Sequence, residues 1–231
     1  MDLRKFAAGC TAAVAAVLIT TSAAAQTPTT RHETNASREA RIQRQIRETY
    51  THRWEVFGGG AYMRFRSGEY TQKNNEVTWN LAPHYYLNPK LAILVDARGM
   101  FGNAKPLRGT GNDTQAVNPQ INEYAFTGGI SYRFYSRLRF ALSAEGAGGI
   151  ADGNFSGGSK GLTYAQTGFW QDAVRPAAVF NLAGDVNLFP NLAFRVLPTY
   201  VVTTFTSPSG GSVQNNFGLN VGIVYRFGRQ K

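Results

Sequence analysis

The sequence predicts an all-β protein: a closed antiparallel transmembrane β-barrel of about eight strands, preceded by a short N-terminal helical segment. Three observations predict it. From Trp54 onward, apolar and polar residues alternate with a period of two, as in strands whose two faces meet different surroundings. Tight turns and long polar loops alternate between these segments, the arrangement of barrels that cross a membrane. Charged residues are 16% of the chain, below the roughly 25% of soluble proteins, yet mean hydropathy is −0.27. A membrane barrel reconciles the two, because half of each strand faces a polar lumen.

Residues 1–25 read as a signal peptide. Arg4 and Lys5 supply the positive start, Phe6 to Ile19 the apolar run, and Ser22-Ala23-Ala24-Ala25 the small residues of a cleavage site before Gln26. The run is short for a spanning helix and has no basic flank after it. Cys10 lies inside this signal, so the mature chain has no cysteine and no disulfide.

Residues 26–53 form a periplasmic N-terminal segment. Thr27 to Thr34 is polar and holds Pro28. Ser37 to Tyr50 has the pattern of a short helix, with Ser37 as N-cap and Ile42, Ile46 and Tyr50 on one narrow apolar stripe. The arginines on its other faces suit solvent or acidic lipid head groups, and a mobile tether is the plainer alternative.

The barrel occupies residues 54–231. Its strands are expected near 54–65, 76–87, 90–102, 121–134, 138–151, 176–189 and 192–204, closing with one at about 216–227. The last is the clearest: Phe217, Leu219, Val221, Ile223, Tyr225 and Phe227 alternate with small or polar residues, Val224 excepted. Gly58-Gly59-Gly60 blurs the first, where either Val56 and Tyr62 or Phe57, Met63 and Phe65 could face lipid. Tight turns are expected at Asn88-Pro89-Lys90, Tyr135-Ser136-Arg137 and Pro190-Asn191. The long links are 66–75, 103–120, 152–175 and 205–214.

A soluble barrel would turn its apolar face inward. Here the strands are about 12 residues long, enough to cross a bilayer when tilted. The outward faces carry almost no charge, and aromatics gather near the short turns, where an amphipathic ring suits the water–lipid boundary.

On these residues the chain resembles the small outer-membrane β-barrel family, of the OmpA-like and opacity-porin-like kind. The likeness spans 54–227 and rests on the Gly-rich 54-WEVFGGGAYMRF-65 and the final 217-FGLNVGIVYRF-227. It implies residence in the outer membrane of a Gram-negative-type bacterium, among its lipids. An alternating last strand ending in Phe227 resembles the signal read by the outer-membrane assembly machinery, although Gly228 to Lys231 extend past it.

Chemistry is expected in the lumen and the longest loop. Asp96, Arg98, Glu145 and Asp185 lie on the inward parity of strand interiors, and Arg133, Arg139, Arg195 and Arg226 on the same parity near the short turns. The interior of an eight-stranded barrel is narrow enough for side chains to fill, and buried charges must pair or stay hydrated. The expectation is an acid–Arg network plugging the lumen; the sharper alternative is a narrow pore. In the 152–175 loop, Phe155, Tyr164, Phe169 and Trp170 are candidate anchors for a surface ligand. Their alternative is a hairpin extended above the membrane. No catalytic constellation is recognisable: His32 and His52 precede the barrel, and His84 lies on the inward parity. Asp113 and Asp152 are explained by loop chemistry, so neither metal nor cofactor is expected. The net charge of +10 comes with no nucleic-acid motif, so no nucleic-acid partner is expected.

Overall fold

A computed structural model describes residues 34–68, 71, 73–104, 120–157, 163–211 and 213–229. The expected signal peptide, most of the polar leader with His32, and most of the 103–120 link with Asp113 lie outside the described residues.

The described chain opens with helix α1 (Asn35–Tyr50). Its N-cap is Thr34, not Ser37: the Thr34 hydroxyl accepts the Ser37 backbone N–H at 3.3 Å, the bond that satisfies an orphan donor of the first turn. Ten strands follow. They are β1 (His52–Arg66), β2 (Lys73–Tyr86), β3 (Leu91–Asn103), β4 (Gln120–Ser136), β5 (Phe140–Gly157), β6 (Ala173–Phe189), β7 (Leu192–Thr203), β8 (Thr206–Ser207), β9 (Gly210–Gly211) and β10 (Gln214–Arg229). A single helical turn, α2 (Tyr164–Thr167), lies between β5 and β6. Strands β8 and β9 form a small hairpin of their own. The other eight close into an antiparallel barrel in the order β1-β10-β7-β6-β5-β4-β3-β2.

The expected strands are all present, and most run longer than the sequence pattern indicated. Strands β5 and β6 keep pairing well into the 152–175 link, with Asp152 opposite Val174 and Gly153 opposite Ala173. Polar loop residues carry no alternation signal, but ladder hydrogen bonds do not require one. The short turns are local: the Asn88 side chain accepts the N–H groups of Lys90 and Leu91, both at 2.9 Å.

Outward positions form the apolar surface. Phe126, Ile130, Phe180, Leu182, Leu219, Ile223 and their neighbours are exposed to the outside of the barrel. The ambiguity of the first strand resolves to one face: Phe57, Met63 and Phe65 are fully buried within the barrel while Trp54 and Tyr62 face out. The barrel closes where β1 meets β10, with Gly59 opposite Gly222.

Candidate functional site: the filled lumen

The lumen near the short turns is built around Glu55. Its carboxylate accepts hydrogen bonds from Arg195 Nη2 at 2.5 Å, Arg226 Nε at 2.8 Å and Arg133 Nη2 at 3.1 Å. Asp185 binds two of the same guanidiniums, Arg195 through Nε at 2.6 Å and Arg226 through Nη2 at 2.9 Å. Glu145 faces His84 Nε2 at 3.1 Å, Asn181 Nδ2 at 2.9 Å and Arg195 Nη1 at 3.6 Å. Three carboxylates therefore meet three guanidiniums and one imidazole, all with side chains at most 3% exposed. Such a network compensates its own desolvation only because every acid has several donors. Its members come from β1, β2, β4, β5, β6, β7 and β10, so it also fixes the register of most of the barrel.

The end of α1 closes this network from outside. Tyr50 is buried, and its hydroxyl donates to the Arg137 carbonyl at 2.7 Å while accepting Asn187 Nδ2 at 2.7 Å. Burial raises the Tyr50 phenol above its ordinary pKa, so it acts as a neutral O–H. Arg133 and Arg226 lie 4.8 Å and 5.6 Å from the centre of its ring, in cation–π geometry. Ile46 and Ile42, one and two turns earlier, are the half-buried positions of the helix. The apolar stripe of the sequence is thus the less exposed face of α1, and Tyr50 at its end is held by the barrel.

A second arrangement sits on β3. Arg98 grips Asp96 through Nε at 2.8 Å and Nη2 at 2.7 Å, and Asn80 Nδ2 adds a third bond at 2.8 Å. Toward the long-loop end the lumen holds an apolar cluster. Met63, Phe65, Met100, Ile121, Phe155 and Phe205 pack together there with Phe169 and Trp170 from the β5–β6 link. Trp170 is pinned by its indole N–H to the Arg66 carbonyl at 2.6 Å.

Several positions differ from expectation. Phe155, Phe169 and Trp170 are buried and so are not exposed anchors: the inward parity of β5 continues to Phe155, and the link folds its rings over the mouth. Only Tyr164 of the four is exposed. Arg139 lies outside the network, because β5 begins at Phe140 and leaves Arg139 exposed in the turn. Of the other seven charges named from sequence, Glu145, Asp185, Arg133, Arg195 and Arg226 converge, while Asp96 and Arg98 form their own pair. Glu55, the hub, escaped notice because the glycines of β1 hid its parity.

Glu76 and Glu123 also escaped notice. Both are fully buried, and neither carboxylate has a hydrogen-bond partner among the described residues. The two lie within Coulombic reach of each other. A buried polar group without a partner is costly, so the double variant Glu76→Met/Glu123→Met, which keeps the volume and removes the unpartnered oxygens, is expected to raise stability by about 1–3 kcal/mol. The check is the guanidinium unfolding midpoint in detergent; an unchanged or lower midpoint would mean that water already solvates both acids. Among the described residues no group of three His, Cys, Asp or Glu side chains could hold a metal ion.

A closed eight-stranded antiparallel barrel with an apolar outer face and a charged interior is the fold of the small outer-membrane β-barrels. Among these the chain is similar in fold to Neisserial surface protein A, at 13% identity and a TM-score of 0.50, covering 75% of this chain and 97% of that one. It is likewise similar to the outer-membrane protein OprG of Pseudomonas aeruginosa, at 12% identity and a TM-score of 0.51, covering 75% and 95%. No protein-family model matches the chain, and no curated protein matches it in sequence.

Proposed function

We propose that this chain is an exported outer-membrane barrel with a structural or surface-interaction role and a closed lumen. It would enter the outer membrane of a Gram-negative-type bacterium after signal cleavage, guided to the assembly machinery by its last strand, with short turns periplasmic and long loops outside. The observation that carries the reading is the filling of the lumen from both ends. A compensated charge network capped by Tyr50 occupies one end, and an aromatic plug occupies the other. Neither end leaves a path for a solute, and His84, buried against Glu145, serves the charge network. A surface ligand would meet the long-loop rim, where Tyr164, Val174, Val213 and Phe217 are exposed.

The test is electrical. The mature chain, refolded in detergent and inserted into a planar bilayer, is expected to give no steady single-channel steps while its gel mobility stays heat-modifiable. Stable steps from the unmodified barrel would replace this reading with that of a small low-conductance pore.

A further inference from the structure

The short-turn rim carries a basic recess that the lumen network does not use. Its volume is about 460 Å³, and Arg44, Arg47, Glu48, His52, Pro190 and Arg229 line it. Helix α1 contributes the first three, the β1–β10 seam contributes His52 and Arg229, which pair in register, and the β6–β7 turn contributes Pro190. Glu48 is engaged by Arg44 Nε at 3.3 Å. Arg47 and Arg229 have no acidic partner among the described residues, so the recess keeps two uncompensated guanidiniums. His52 Nδ1 lies 3.1 Å from the Thr49 carbonyl, which requires the proton on Nδ1 and fixes the ring at the recess wall.

What lies beside the recess indicates its occupant. On the outer face of the same strands, Trp54 stacks with Phe227 at 6.4 Å, and Phe227 stacks with Tyr225 at 6.0 Å. Across the recess, Leu188 and Phe189 just before Pro190 are exposed. A free anion would need only the guanidiniums. A phospholipid needs both halves: a cationic seat at the level of its phosphate and an apolar, aromatic-flanked wall for its chains directly below. Guanidinium forks match phosphate oxygens in pairs.

We infer that this recess binds the phosphodiester head group of an anionic phospholipid in the leaflet on the short-turn side, seated between Arg47 and Arg229. The inference rests on the reading that the barrel spans a membrane, and it adds a specific lipid site to that reading. Holding a lipid there ties α1 to the barrel rim, so the helix that caps the lumen becomes sensitive to the lipid beneath it.

The test uses the refolded mature chain in zwitterionic detergent, titrated with short-chain phosphatidylglycerol, short-chain phosphatidylcholine and inorganic phosphate. Tryptophan fluorescence, to which Trp54 at the rim contributes, provides the readout. Phosphatidylglycerol is expected to bind saturably and at least about tenfold tighter than phosphatidylcholine. Arg47→Gln/Arg229→Gln is expected to weaken it about thirtyfold, and Arg47→Lys only partly. Both arginines are exposed and outside the lumen network, and heat-modifiable mobility checks that each variant is folded. Equal binding of the two lipids, or an unaffected double variant, overturns the site. Inorganic phosphate binding as tightly as phosphatidylglycerol overturns the lipid as occupant. A chain that is folded and soluble without detergent overturns the membrane reading itself, a different result from a folded, detergent-held barrel that fails to discriminate lipids.

Discussion

Glu55→Ala is expected to lower the unfolding free energy of the barrel by about 3–5 kcal/mol, the cost of breaking a buried ion pair by removing one partner. The effect is large because one carboxylate serves three guanidiniums. Without it, Arg133 loses its only carboxylate among the described residues, and Arg195 and Arg226 are left to share Asp185, with Glu145 the only other acid near Arg195. The lumen then holds an excess positive charge that three well-paired acids had cancelled. Unfolding in guanidinium, followed by tryptophan fluorescence in micelles, measures the change. Arg139→Ala is the matched control: it removes a charge that sequence parity assigns to the same network but that the fold leaves exposed, and it should fall within about 0.5 kcal/mol of the parent. If Glu55→Ala were equally mild, water in the lumen would be carrying the compensation, and the closed-lumen reading would fail with it.

Gly222→Ala is expected to cost about 3 kcal/mol or more, through overpacking of the seam that closes the barrel. A Cβ on Gly222 would lie 2.2 Å from the Gly58 carbonyl oxygen and 2.6 Å from Gly59 Cα. Both contacts are to backbone, so no side chain can swing away. The opposing Gly59 is in the same position, with a Cβ 2.5 Å from the Val221 oxygen. Strands β1 and β10 are the ends of the barrel chain, and their pairing forms last-to-first contacts that no hairpin turn assists. Refolding yield, read as the heat-modifiable band, should fall sharply. Gly58→Ala, whose Cβ meets nothing within 4 Å, should refold as the parent does. Equal yields for the two variants would mean that the seam can spread to admit a methyl group.

The architecture is written in local pattern. Alternation is local: each outward Phe, Leu or Ile announces its own face, and a period of two leaves little freedom about which neighbours point inward. The count of strands, the even number, the tight turns at Asn88-Pro89-Lys90 and Pro190-Asn191 and the inward parity of Asp185 and Arg195 could all be read within ten or so residues of one another. What those inward residues do depends on which of them meet across the closed barrel. Glu55 and Arg226 are 171 positions apart, and closure of the β1–β10 seam brings them together, which no local pattern encodes. The same holds for Tyr50 beneath Arg133, and for Phe155 packed against Phe205 rather than offered to solvent. A strand's faces follow from the chain's own geometry, whereas the partner across a lumen follows from how all eight strands are tilted and staggered when the barrel shuts.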